Sequence, residues 1–178
     1  MNLPNSLSLL RLLMVPVFAW AFFSPSPNAH YYAAGIYALA FATDIADGYI
    51  ARRFNMVTRL GRILDPLADK LMTFTVITSI TAAGIIPAWV AVVFFVKELA
   101  MCLGAVSLFR RTDDVISANY LGKASTGVFF IVCAALVLFP AIPRHWATGL
   151  MTGAIILAIL AFLGYLGEYL GILRAQKS

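Results

Sequence analysis

Four aspartates dominate the chemistry available to this chain. Asp44 and Asp47 are three residues apart, and Asp65 and Asp69 are four apart. On a helix, either spacing puts both carboxylates on one face. Gly48 and Ala51 follow on the face of the first pair, and two small residues beside two acids make room for something bulky. A short loop separates the pairs, so two helices joined by it bring both acidic faces to one depth. Four carboxylates at one point repel strongly unless cations or protons neutralise them. Oxygen-only ligands favour Mg²⁺ or Mn²⁺ over zinc. Two divalent ions about 3.5–4 Å apart would balance the four charges, and such a pair suits phosphoryl chemistry. Two other readings stand beside this one. The acids could pair structurally with Arg52, Arg62 and Lys70, or they could form a proton or cation relay.

The elements that must position these acids are apolar. Of the 178 residues, 62% are hydrophobic and only 12% are charged, against about 25% in a soluble domain. That balance excludes a soluble globular enzyme, a disordered chain, a collagen-like chain and a disulfide scaffold. Cys102 and Cys133 both lie in apolar runs, so core positions are expected rather than a disulfide. Charge-free stretches run over 12–43, 71–96, 99–109, 124–143 and 145–167. The turn signals Ser24-Pro25-Ser26-Pro27-Asn28 and Gly84-Ile85-Ile86-Pro87 divide the first two. Six transmembrane helices are predicted, at about 5–23, 29–53, 60–83, 88–110, 120–139 and 146–173, in a single all-α membrane domain over 1–178.

Charge sets the expected orientation. Six helices place both termini on one side, together with the loops 52–62 and 110–123. Of the 13 basic and 8 acidic side chains, all but Arg144 fall on or toward that side. It should be cytoplasmic, and the net charge of +5 then reflects the positive-inside rule and not a nucleic-acid partner. No cleavable signal peptide is expected, because the start lacks a basic segment and Arg11 interrupts the first apolar run. Arg11, the four aspartates, Lys97 and Glu98 all lie inside predicted spans. A charge facing lipid at mid-helix costs at least ~2.5 kcal/mol, so a polar cavity open to the cytoplasm is predicted. Snorkelling explains Lys70 and Arg62 but not the short aspartates.

The pattern Asp-x2-Asp-Gly-x2-Ala-Arg-x8-Gly-x3-Asp-x3-Asp resembles the signature of the CDP-alcohol phosphotransferases. Its fixed positions are filled by Asp44, Asp47, Gly48, Ala51, Arg52, Gly61, Asp65 and Asp69. The six-helix layout is similar too, so the resemblance covers nearly the whole chain. It implies transfer of a phosphatidyl or similar group from a CDP-linked donor to an alcohol, with release of CMP. By the same resemblance, Asp44, Asp47, Asp65 and Asp69 would hold two divalent cations, and Asp69 would also be the general base. Gly48, Arg52 and Thr58 would contact the CDP moiety, with Ala51 and Gly61 small for packing against the nucleotide. Independently, a guanidinium such as that of Arg52 offers a fixed charged fork to a phosphate.

The opening Asn2-Leu3-Pro4-Asn5-Ser6-Leu7-Ser8-Leu9-Leu10-Arg11 resembles that of bacterial phosphatidylglycerophosphate synthases and related cardiolipin synthases. The implied donor is CDP-diacylglycerol, with Asn5, Ser8 and Arg11 along its headgroup path; Asn5 is equally well read as a helix cap. The implied acceptor is glycerol-3-phosphate, or phosphatidylglycerol for a cardiolipin synthase. Lys97, Arg110, Arg111 and Lys123 are the cations available to an acceptor phosphate, and Arg110 and Arg111 serve equally well as positive-inside anchors. Two cationic positions of the synthase pattern are missing. Ala105 aligns with an expected arginine, and Gly122-Lys123-Ala124-Ser125-Thr126 lacks a second lysine. Lys97-Glu98 replaces the usual Arg-Glu. The glycine pairs Gly149/Gly153 and Gly167/Gly171 have helix-packing spacing, within or between chains, and the resemblance implies a homodimer in membrane lipid. A cation- or proton-coupled transporter is the reading from a different class. Nothing that resembles an inverted repeat supports it.

Overall fold

The computed structural model describes residues 3–53, 61–109 and 120–175. They form six helices: α1 (Leu3–Phe22), α2 (Ala29–Arg53), α3 (Gly61–Ala82), α4 (Ala88–Phe109), α5 (Tyr120–Leu138) and α6 (Arg144–Ala175). Among the described residues every regular element is helical, as the hydropathy pattern predicts.

The connections explain where the helices stop. Pro4 sits in the first turn of α1, where a missing N–H would have no helical partner anyway. Between α1 and α2, the Ser24 hydroxyl accepts from Ser26 N (3.4 Å) and the Ser26 hydroxyl from Asn28 N (3.3 Å). Such local side-chain bonds compete with helix and favour turns. α3 ends in a Schellman motif: Gly84 N donates to Thr81 O (2.9 Å) and Ile85 N to Ile80 O (3.0 Å). Gly84 takes the left-handed conformation this requires, at φ 74°. Ile80 and Ile85 are both buried, as the apolar contact that accompanies the motif demands.

The chain divides into two compact units. The first comprises Met1–Ile85 with Ala134–Ile142, the second Ile86–Cys133 with Pro143–Ser178. In the first unit, α1 packs along both α2 and α3. Small buried residues, Ala21, Ala29, Ala33 and Ala40, let α1 and α2 approach. Phe18 fills the seam, with its ring 5.9 Å from Phe22 and 6.2 Å from Tyr37. In the second unit α4 meets α6, and Phe94 stacks on Phe129 of α5 at 5.2 Å.

The exterior is apolar. Trp20 is 75% exposed, and Leu13, Leu39, Val92, Val96, Ile131 and Leu163 are exposed with it. Exposed aromatic residues also lie near helix ends. Trp20 and Phe23 close α1, Tyr31 and Tyr32 open α2, Trp89 opens α4, Phe139 follows α5 and Trp146 opens α6. Amphipathic rings favour the two membrane–water interfaces. Arg144–Gly164 of α6 is long and apolar enough to cross a membrane; Ser6–Phe22 and Gly122–Leu138 are shorter apolar segments. α2, α3 and α4 carry more charge.

Two expectations change here. Cys133 is buried as a core residue, but Cys102 is exposed, and both are free thiols. A Cβ placed on Gly149, Gly153 or Gly167 meets nothing within 4 Å, so these glycines do not serve close packing among the described residues.

The Gly84 cap is testable. Its Cβ position is also open, so only the backbone conformation opposes a side chain. Gly84→Ala should destabilise the fold by about 1–2 kcal/mol, read as a lowered thermal midpoint in detergent. Gly84→Asn should lose less, because asparagine tolerates the left-handed region.

Candidate active site

α1 supplies two polar side chains to an otherwise apolar helix. Ser8 and Arg11 are three residues apart, so they share a face. Both are buried, Ser8 at 0% and Arg11 at 1% exposure. A guanidinium this enclosed needs anionic partners, and α2 provides them. Arg11 Nη1 lies 2.6 Å from Asp44 Oδ1, and Nη2 donates to Asp47 Oδ2. One planar group thus bridges the two carboxylates of α2. The Nη1 contact is an ion pair without hydrogen-bond alignment, and Nε has no hydrogen-bond partner among the described residues.

α3 supplies the second pair. The Ser8 hydroxyl donates to Asp65 Oδ1, which ties α3 to the same face of α1. Asp44 and Asp65 both act electrostatically on Asp47. Asp69 follows one turn after Asp65 and is exposed. The acids are therefore graded. Asp47 is enclosed, at 3% side-chain exposure, whereas the Asp44 side chain is 40% exposed. Among the described residues no three acidic, histidine or cysteine side chains converge closely enough to form a closed cage around one ion. The arrangement is an open acidic face, closed on one side by Arg11 and Ser8.

The donor set nonetheless suits a hard divalent cation. Its side chains are carboxylates throughout, and hard cations such as Mg²⁺ take oxygen ligands. The α2 pair already shares one cationic group, the Arg11 guanidinium.

The remaining predicted positions fall as follows. Gly48 is half-buried on α2, and Gly61 is buried at the first residue of α3. Asn5 lies in α1, and Ala51 and Arg52 lie in the last turns of α2; their side chains are outside the described set. Thr58, Arg110 and Arg111 lie outside the described residues altogether. Lys97 and Lys123 belong to the second unit. Lys123 is exposed in the first turn of α5. Lys97 donates to the buried Glu98 and sits over the rings of Phe94 (5.0 Å) and Phe129 (5.9 Å), a desolvated cation held by a carboxylate and two aromatic faces.

One alternative reading of the sequence pairs the acids with Arg52, Arg62 and Lys70; the side chains of Arg52 and Arg62 lie outside the described set. The structure gives Arg11 the role of counter-charge for the α2 pair. The available signal was a lone arginine within an apolar helix, three residues from a serine.

The CDP-alcohol phosphatidyltransferase family profile matches residues 1–165. A CDP-diacylglycerol--glycerol-3-phosphate 3-phosphatidyltransferase of Bacillus subtilis is 35% identical over 149 residues, covering 77% of each chain. A probable phosphatidylglycerophosphate synthase of Mycobacterium tuberculosis is 35% identical over 173 residues, 95% of this chain and 82% of the relative. A CMP-forming cardiolipin synthase of Streptomyces coelicolor is 38% identical over 130 residues, 71% of this chain and 60% of the relative. With a profile match over most of its length, the chain belongs to the CDP-alcohol phosphatidyltransferase family of membrane enzymes.

Proposed function

We propose that this chain transfers a phosphatidyl group from CDP-diacylglycerol to glycerol-3-phosphate, giving phosphatidylglycerophosphate and CMP. The observation that carries this reading is the gathering of Asp44, Asp47 and Asp65 against Ser8 and Arg11, with Asp69 exposed one turn further on. The Bacillus and Mycobacterium relatives, named for this reaction over most of both chains, supply the choice of substrates.

Asp44, Asp47, Asp65 and Asp69 would hold two divalent cations, Mg²⁺ or Mn²⁺, which when bound neutralise the diphosphate and make CMP a better leaving group. The chain's own residues do the rest. Asp69, the most open of the four, accepts the proton of the acceptor hydroxyl. That oxygen bonds to the phosphatidyl phosphorus as the diphosphate P–O bond breaks, and the bond's electrons leave with CMP. Gly48, Ala51 and Gly61 keep the approach to the acids clear for the nucleotide. Arg52 and Thr58 contact the CDP moiety. Lys97, Arg110, Arg111 and Lys123 supply positive charge for the acceptor phosphate, Lys97 being preorganised by Glu98 and two rings.

In this reading all six helices span the membrane, and the acidic face opens to the cytoplasm with both termini. The exposed apolar side chains and the aromatic residues near the helix ends support that placement. Paired acids and bases facing one another inside the protein permit charged helices such as α2 and α3 to span. The assembly is a homodimer.

A second reading rests on the Streptomyces relative: a cardiolipin synthase, with phosphatidylglycerol as acceptor.

Purified protein supplied with CDP-diacylglycerol and Mg²⁺ or Mn²⁺ should release CMP only when the acceptor is present, and excess EDTA should stop turnover. Asp69→Asn should lower kcat by about 10²–10⁴-fold, the usual contribution of a positioned general base; normal turnover in that variant would remove the base from the mechanism. Across a panel of acceptors resolved by lipid chromatography, glycerol-3-phosphate should give the phosphorylated product. Product from phosphatidylglycerol alone would establish the second reading. For topology, green fluorescent protein fused after Ser178 should fluoresce in a bacterial host, and alkaline phosphatase fused there should be inactive. The reverse pattern would overturn the cytoplasmic placement.

A further inference from the structure

We propose that Ser8 and Arg11 are positioning residues that aim three of the acids at their cations, and not merely counter-charges or part of the donor path. This deepens the two-cation reading above and rests on it. Each α1 side chain takes one oxygen of a carboxylate and leaves its mate. Arg11 engages Oδ1 of Asp44 and Oδ2 of Asp47, and Ser8 engages Oδ1 of Asp65. Among the described residues, Asp44 Oδ2, Asp47 Oδ1 and Asp65 Oδ2 remain for a ligand.

The geometry is that of a support behind a metal site. Carboxylates that ligate a cation are themselves held by hydrogen bonds, and the outer partners fix which lone pairs face the ion. Arg11 suits this task better than a lysine, because its planar fork binds two oxygens in fixed directions. It is also fully enclosed, at 1% exposure, in the seam between α1 and its neighbours. An arginine that had to leave before a cation could enter would need space to move into, and the burial of Arg11 opposes that. With two divalent cations bound, its charge would leave the four-carboxylate site with one positive charge in excess, which favours an anionic diphosphate.

The two roles predict opposite effects. If Arg11 aims the acids, Arg11→Lys keeps the charge and loses the fork, so cations should bind more weakly. If Arg11 is only a counter-charge competing with cations, Arg11→Lys should bind as the unaltered chain does and Arg11→Met should bind more tightly.

The test titrates Mn²⁺ into the purified full chain in detergent, with free Mn²⁺ read by electron paramagnetic resonance. Arg11→Lys should raise the Mn²⁺ Kd about 10–100-fold, and Ser8→Ala about tenfold. Raised Mn²⁺ should restore much of the lost rate in both variants, which a general folding defect would not allow. Circular dichroism and elution volume in EDTA confirm the fold. Should Arg11→Lys fail to fold, the milder Ser8→Ala decides alone. Unchanged affinity in the folded variants, or tighter binding in Arg11→Met, overturns the proposal while leaving the two-cation reading intact. Absence of Mn²⁺ binding in the unaltered chain overturns both.

Discussion

A guanidinium removed from water must be neutralised where it stands. Arg11 is enclosed in a helix that is otherwise almost wholly apolar, and among the described residues it is neutralised by Asp44 and Asp47 on the neighbouring helix. Bringing an ion of this size into a low-dielectric interior carries an effective penalty of several kcal/mol, recovered only if the partners are held in good geometry. Removing one partner leaves an uncompensated buried charge, which is more damaging than never having had the pair. The contact therefore fixes more than itself. It sets the rotation of α1 about its axis and the height of α1 against α2, and Ser8, one turn earlier, fixes α3 through Asp65 in the same way. Apolar side chains such as Phe18 and Ala33 can tolerate small slips along the seam. A buried fork between two carboxylates cannot, which is how polar groups specify register inside apolar assemblies.

The same constraint accounts for the distribution of polarity through the first unit. Its exterior carries Trp20, Phe23, Leu13 and Leu39, and its interior carries Ser8, Arg11 and Asp47. In water this arrangement would be inside out. In a membrane it is the only arrangement in which charged groups have partners, because lipid provides none. The enclosed end of the acidic face, at Asp47, is where charge is balanced by protein, and the open end, at Asp44 and Asp69, is where charge remains accessible. In the proposed reading the site accepts cations and an anionic headgroup, and that needs both. Full neutralisation by protein would leave nothing to attract a ligand, and full exposure would leave the acids mutually repelling and poorly aimed.

The helices were readable from the chain because the signals that make and break them are local. Hydropathy runs and the Ser-Pro and Gly-Pro punctuation placed all six helix bounds within two residues of those observed. The Schellman stop at Gly84 follows from a single residue type. The four aspartates announced themselves by spacing alone. What spacing does not contain is the relative rotation of different helices. Which of Arg11, Arg52, Arg62 and Lys70 faces Asp47 depends on how α1 docks against α2, and that is decided by Ala21, Ala33, Phe18 and Tyr37 filling the seam. The same limit applies to the glycine pairs in α6. Their spacing permits close packing, yet among the described residues nothing comes within 4 Å of a Cβ placed on Gly149, Gly153 or Gly167.

Lys97 shows how a second cation is handled when no aspartate pair is at hand. It lies one residue from its partner Glu98 and over two aromatic faces, so its charge is balanced by groups on α4 and α5. An intrahelical pair of adjacent residues places no demand on the register of other helices, unlike Arg11. It also holds the ammonium as a point charge that can turn toward a new anion, since a lysine donates in three directions and not in a fixed fork. The two cations are thus suited to different work. Arg11, locked between helices, is built to hold geometry constant. Lys97, balanced locally by Glu98 and two rings, is in the proposed reading the cation that meets the acceptor phosphate.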